Sequence, residues 1–186
     1  MLSKKVEEAL GDVDLAFRQF EFAVKLMLYC ENSEIDKDKF DGDITYLEEK
    51  GDNMVFPDNS FGSYDEIVSC SRINVSLAFA ATAIALDSAF KVAGFKHTPD
   101  LAGDVRAMVY MVRCVFAHGI TDPKWEVRGG HRKKVHLDLN GVSLEVDFAQ
   151  LNGSVFDYKH VGGWSGWYRI KDAAIALIRG NQVAGG

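Results

Sequence analysis

Arg113 and His118 are set apart by Cys114-Val115-Phe116-Ala117, a spacing of two polar groups suited to chemistry on an anion. A guanidinium is always charged and offers five N–H donors, while an imidazole gains or loses a proton near neutral pH. Such a pair suits attack on a phosphodiester, one group neutralising the phosphate and the other moving protons. On an ideal helix residues five apart lie roughly 140° from one another, so the two converge only if a last turn unwinds or widens to re-aim His118. A place at a helix C-terminus would also favour the imidazolium form.

The element that must position them is a helix from about Asp100 to Ala117, ended by Gly119 as a left-handed residue. At 100° per residue, Val105, Met108, Val109, Val112, Val115 and Phe116 share one stripe, the expected core face. The opposite face carries Ala107, Tyr110, Cys114 and Ala117, with Arg113 and His118 at its margins. Lys and Glu are missing from that face, which predicts a second packing surface for another helix or for a second copy of the chain.

Around this helix the apolar spacing predicts others. Val6, Leu10, Val13, Phe17, Phe20, Val24 and Met27 recur at intervals of three and four, a long amphipathic helix from Leu2 to about Glu31. From Asn32 to Ser63 periodicity gives way to Asp, Glu and Gly, read as an acidic loop in which only Ile44 to Leu47 can form a turn of helix. Helix returns from about Tyr64 to Phe95, and Ser76 to Leu86 is apolar around its whole circumference, so it should be buried on most sides. Val135, Leu137 and Leu139 then alternate with polar residues up to Asn140-Gly141, and Val142, Leu144, Val146 and Phe148 alternate on the way back. A two-residue turn there sets Leu139 opposite Val142, Leu137 opposite Leu144 and Val135 opposite Val146, all on one face. After an irregular stretch from Asn152 to Gly163, Trp164, Trp167, Ile170, Ala174, Leu177 and Ile178 mark a last amphipathic helix. The expected fold is mainly α, an up-down helical bundle with a β-hairpin before the C-terminal helix. One domain spans 1–180, with an acidic loop insertion at 31–63, a strand and hairpin insertion at 125–148 and a tail at 181–186.

Arg113-x-x-x-x-His118 followed by Gly119, at the end of a core helix, resembles the motif of the HEPN superfamily, short helical bundles with Arg, four to six residues, then His. The resemblance extends over the helices before the motif and loosely over the last helix; the hairpin looks like a subgroup addition. It implies a metal-independent ribonuclease centre formed by Arg113 and His118 and completed in a cleft between two protomers. Settings such as toxin-antitoxin pairs or antiviral defence, and a neutralising protein partner, are implied by the same resemblance. The residue after the arginine, often Asn, Asp or His in the family, is Cys114 here. The second reading is a non-catalytic module of that superfamily that binds RNA, a nucleotide or a protein partner.

Other residues bear on these readings. Asp87 interrupts the most apolar helix and, if buried, needs a partner: it orients Arg113 or His118, or else it lies on an exposed edge or pairs with Lys91 one turn on. Arg128, His131, Arg132, Lys133 and Lys134 form a dense basic cluster, the expected path of an RNA backbone or else a solvated turn guarding a strand edge. His136 and Glu145 should face each other as a surface pair. Gly42 and Glu48 have EF-hand spacing, but Lys37 and Lys39 occupy ligand positions, so calcium is rejected. Cys114 and His118 lie on one helix, unlike a thiol nucleophile and its base. No paired ligand spacing occurs among the histidines and cysteines, so no metal or other cofactor is expected. Trp125, Trp164 and Trp167 read as core or interface anchors.

The totals bound the rest. With 186 residues, 47% of them hydrophobic, the chain can bury a substantial core. A net charge of -6 argues against coating nucleic acid non-specifically, so any RNA contact should be local. Three cysteines, Cys30, Cys70 and Cys114, sit in apolar helical contexts and read as reduced thiols. The start Met1-Leu2-Ser3-Lys4-Lys5-Val6-Glu7-Glu8 lacks the apolar core of a signal peptide, and the most apolar segment, Val75 to Phe90, is short and contains Asp87. The expectation is a cytoplasmic homodimer without a membrane span.

Overall fold

The computed structural model describes residues 2–47, 53–95, 100–117, 119–139 and 141–184. Their elements run α1 (Lys4–Glu31), α2 (Lys37–Phe40), β1 (Ile44–Leu47), β2 (Asn53–Phe56), α3 (Tyr64–Val92), α4 (Leu101–Ala117), β3 (Lys134–Leu139), β4 (Val142–Asp147), α5 (Phe148–Leu151) and α6 (Gly163–Ala184). Among the described residues the chain is mainly helical, with two small antiparallel hairpins, β1–β2 and β3–β4. It divides into two compact units, residues 1–19 with 76–186 and residues 20–75.

The larger unit is built on the stripe read from the sequence. Val105, Met108, Val109, Val112, Val115 and Phe116 of α4 are all buried, together with Val6, Val13 and Phe17 of α1 and Trp167, Ile170, Ala174 and Ile178 of α6. Phe79 of α3 is fully buried, its ring centroid 5.0 Å from that of Tyr158 and 5.1 Å from that of Trp167. Thr82, also buried, joins α3 to α6: its hydroxyl donates to the Phe79 carbonyl at 2.6 Å and accepts the Trp167 indole N–H at 2.8 Å. Trp125 is equally enclosed, and its Nε1 donates to His160 Nδ1 at 3.0 Å. The apolar run of α3 is not buried on every side, because Leu77 and Ile84 stand outward two turns apart. By length and composition alone α3, at 29 residues, reaches what a membrane span needs, and it is longer than the segment expected from Val75 to Phe90.

Two ends of helices have identifiable chemistry. Gly94, at φ +65°, closes α3: its N–H and that of Phe95 return to the Lys91 and Phe90 carbonyls, and the Phe95 ring packs on Phe90 at 5.2 Å. Asp100 caps α4, its carboxylate accepting from the Gly103 N–H at 3.0 Å. Gly119, expected in the left-handed conformation, does not take a positive φ. The chain turns there towards Asp122, whose carbonyl oxygen a Cβ at Gly119 would meet at an ordinary 3.4 Å.

The β3–β4 hairpin has the register expected: Val135 opposite Val146, Leu137 opposite Leu144 and Leu139 opposite Val142. Gly141 has the positive φ of +81° that such a turn needs, while Asn140 lies outside the described residues. Phe148 is not part of the strand; Asp147 ends β4 and caps α5 by accepting from the Ala149 and Gln150 N–H groups, and Phe148 is buried in that short helix. His136 and Glu145 are opposite as expected, yet Glu145 pairs with Lys134 at 2.8 Å while the His136 ring faces Ser143 Oγ at 3.4 Å.

The smaller unit corrects the reading of 31–63 as an irregular loop. It holds α2 and the β1–β2 hairpin, and Ile44–Leu47 is a strand paired with Asn53–Phe56 rather than a helical turn. Ile44, Thr45 and Tyr46 are β-branched or aromatic, types that fit a pleated surface once a partner strand exists. Buried Asp41 ties the segment together, its carboxylate accepting the Ser60 N–H at 2.8 Å and the Phe61 N–H at 3.1 Å.

Thr82→Val keeps the shape of the side chain but removes the acceptor for the buried Trp167 indole. The variant should lose about 1–3 kcal/mol of stability, the cost of an unsatisfied buried donor, read from its denaturant midpoint against wild type.

Candidate functional site

Asp87 has only 2% of its side chain exposed, and three cations gather on it. Lys91, one turn on, is 2.6 Å from Oδ2, and Arg113 Nε is 3.8 Å from the same oxygen. Arg106 Nη1 donates to Oδ1. Burial pushes the Asp87 carboxyl up, but the hydrogen bonds from Lys91 and Arg106 overcome it and hold the group below the usual carboxylate range. Both alternatives read from the sequence are therefore present at once: Asp87 pairs with Lys91 and lies against Arg113. It does not sit on an exposed edge.

Arg106 was not singled out by the sequence, although its spacing was a signal. It stands seven residues before Arg113, two turns along the same face, with Tyr110 between them. Its guanidinium lies over the Phe90 ring at 5.1 Å, and its buried Nε has no hydrogen-bond partner. One carboxylate thus serves three cations, and the Arg113 side chain remains 38% exposed. An anion arriving here meets an excess of positive charge already oriented from behind.

Beside Arg113, α4 forms a second cluster. The Tyr110 ring stacks on His131 at 4.8 Å between centroids and 25° between planes. A hydrogen bond with Cys114 raises the Tyr110 hydroxyl above its ordinary pKa, its neighbour's charge and burial add to this, and Arg113 opposes it. Burial and then Lys133 depress His131 below the ordinary imidazole value, which favours its neutral form. Tyr110, Met111, Cys114, Glu126, Arg128 and His131 line a cleft of about 170 Å³.

The face of α4 expected to be a second packing surface is not an open one. Ala107 is 1% exposed, enclosed within its own chain, and Tyr110 is covered in part by His131; of the four residues only Ala117 is exposed. Members of the basic cluster are already engaged by other groups. Arg128 pairs with Glu126 and Lys134 with Glu145, each at 2.8 Å. Lys133 reaches Asp104 at 2.8 Å, whose other oxygen accepts the His136 N–H, tying β3 to the first turn of α4. Arg132 donates to the Val127 carbonyl at 3.4 Å. The Arg128 and Lys134 pairs are exposed, so they contribute little and exchange partners readily. His118 lies outside the described residues; α4 itself ends at Ala117.

Charge is divided between the units. Residues 1–19 and 76–186, which carry every candidate residue named above, hold 16 Lys and Arg against 14 Asp and Glu, a formal +2. Residues 20–75 hold 5 against 13, a formal -8. The acidity of the whole chain therefore belongs to the smaller unit. No protein-family model, curated protein or solved structure matches this chain.

Removing the Asp87 charge should be costly in a pH-dependent way. Asp87→Asn strands three cations, and loss of one partner of a buried pair costs about 3–5 kcal/mol. Because the folded carboxyl titrates below its unfolded value, its contribution is present above the unfolded pKa and fades as pH falls through the folded one. Stability measured by thermal unfolding should thus differ most near neutral pH and converge for the two proteins in acid.

Proposed function

We propose that this chain is a HEPN-like, metal-independent endoribonuclease acting at the C-terminal end of α4. The observation that carries the reading is the ion pair of Arg113 with buried Asp87, which leaves 38% of the Arg113 side chain exposed; a guanidinium there would serve as a phosphate clamp. In this scheme His118 takes the proton of a ribose 2′-hydroxyl, the 2′-oxygen attacks phosphorus, the P–O5′ bond breaks, and the imidazolium so formed returns the proton to the leaving 5′-oxygen. The products are a 2′,3′-cyclic phosphate and a 5′-hydroxyl. The +2 balance of the larger unit agrees with a local contact to RNA in an acidic chain. A two-fold dimer would complete the cleft, and a toxin-antitoxin or antiviral setting is the corresponding biological proposal.

Cys114 favours a second reading, a non-catalytic module that binds RNA, a nucleotide or a partner protein. Cys114 stands where the superfamily often carries Asn, Asp or His, and its thiol hydrogen-bonds Tyr110.

Cleavage of a mixed single-stranded RNA should persist in EDTA and leave cyclic phosphate ends. His118→Ala should abolish it while sparing RNA binding and the melting temperature. Arg113→Lys, which keeps charge but loses the planar fork, should slow it by about a hundredfold. Equal inertness of wild type and His118→Ala, with binding retained, would replace the enzyme with the second reading.

The dimer is tested separately by sedimentation. Ala117→Glu, at an exposed position, should split it without unfolding the chain, whereas Ala107→Glu places a charge in the core and should unfold the protein. A wild-type monomer at tens of micromolar would remove the composite cleft.

A further inference from the structure

The β1–β2 hairpin shows to solvent the face it would be expected to hide. Side chains two apart on a strand share a face, and so do directly opposite residues of a pair. The pairs Ile44–Phe56 and Tyr46–Met54 therefore make one wholly apolar face, and all four residues are between 51% and 61% exposed. Val55, on the other face, is 58% exposed as well. Among the described residues no third strand joins either edge. A two-stranded hairpin alone is marginally stable in water, and a contiguous exposed apolar patch marks an interaction site. Neither strand carries a Lys or Pro to blunt its edge.

The chemistry of the occupant follows from the charge around the patch. Residues 31–66 hold twelve Asp and Glu against three Lys and no Arg or His. Among the described residues there, the one buried carboxylate, Asp41, is engaged by Ser60, Phe61 and Lys37, while Asp38, Asp43 and Asp58 are exposed. Nucleic acid and anionic membrane are repelled by such a surround, and a second copy would bring the same sign of charge to the same patch. We propose that the β1–β2 hairpin is the docking surface for a basic protein segment bearing apolar side chains, laid on the Ile44–Phe56/Tyr46–Met54 face. Apolar contact supplies the affinity, and the acidic surround selects the partner and speeds its arrival. This surface stands whether or not the Arg113 site cleaves RNA.

The test is selection of a displayed library of random peptides on the full chain, with a Tyr46→Ser/Met54→Ser double variant in parallel. Both side chains are exposed, so the variant should keep the wild-type circular dichroism and melting temperature. Peptides retained by wild type should be rich in Lys and Arg interleaved with aliphatic or aromatic residues. They should bind the double variant at least about tenfold more weakly, weaken with salt, and slow amide exchange within 44–56. Recovery of no binders, of acidic or uncharged binders, or of binders indifferent to the double substitution would overturn the proposal. So would sedimentation showing that wild type self-associates and the double variant does not, which would make a second copy the occupant. A variant that loses its fold would be replaced by Val55→Ser, on the opposite face, as the reference that must leave binding intact, with amide exchange on wild type deciding the location.

Discussion

A carboxylate buried on an apolar helix is tolerable only where cations reach it, and Asp87 imposes that condition on the helices of the larger unit. Its neighbour Lys91 comes from the same helix, but Arg106 and Arg113 come from α4, two turns apart. Sliding α4 by a turn against α3 would leave one of them without the anion, so the ion cluster sets a register that apolar packing alone leaves soft. The same cluster decides how Arg113 is presented. Its side chain is neither enclosed in the core nor loose on the surface: it is 38% exposed and paired with a buried carboxylate.

The other supports of this helix are made at a distance in sequence. Asp104 in the first turn of α4 holds both Lys133 and the His136 N–H, which brings the hairpin down beside α4 and puts His131 over Tyr110. The aromatic group around Phe79 joins α3, α6 and the segment carrying Phe156 and Tyr158, and the Thr82–Trp167 bond gives that packing one specific polar contact. Polar bonds of this sort add little net energy each, but leaving one unmade in the core is costly, so they discriminate against other packings.

Where local pattern and tertiary packing agree, the sequence was readable. The core stripe of α4 and the β3–β4 register follow from periods of 3.6 and 2 without further information. The β1–β2 hairpin was not readable because its strands are four residues long, lack alternation and are joined by a charged stretch instead of a recognisable turn. Ala107 shows a different limit. Its place opposite the apolar stripe is correct by helix geometry, yet elements distant in sequence enclose it, so α4 is buried almost all round. Asp87 could be flagged as needing a partner, and Lys91 and Arg113 were among those named, whereas the part of Arg106 emerges only in the packed structure.

The division of charge means that bulk quantities describe neither part of this molecule. A sequence pI of about 5.3 averages a unit at formal +2 with one at -8. At very low ionic strength an approaching polyanion responds to the whole charge and is repelled; near 0.15 M salt, with a screening length of about 8 Å, it responds to the residues immediately before it. Attraction to the Arg113 surface would then strengthen as a little salt is added and weaken only as more salt competes, a curve with a maximum rather than the monotonic decline usual for basic proteins on nucleic acid.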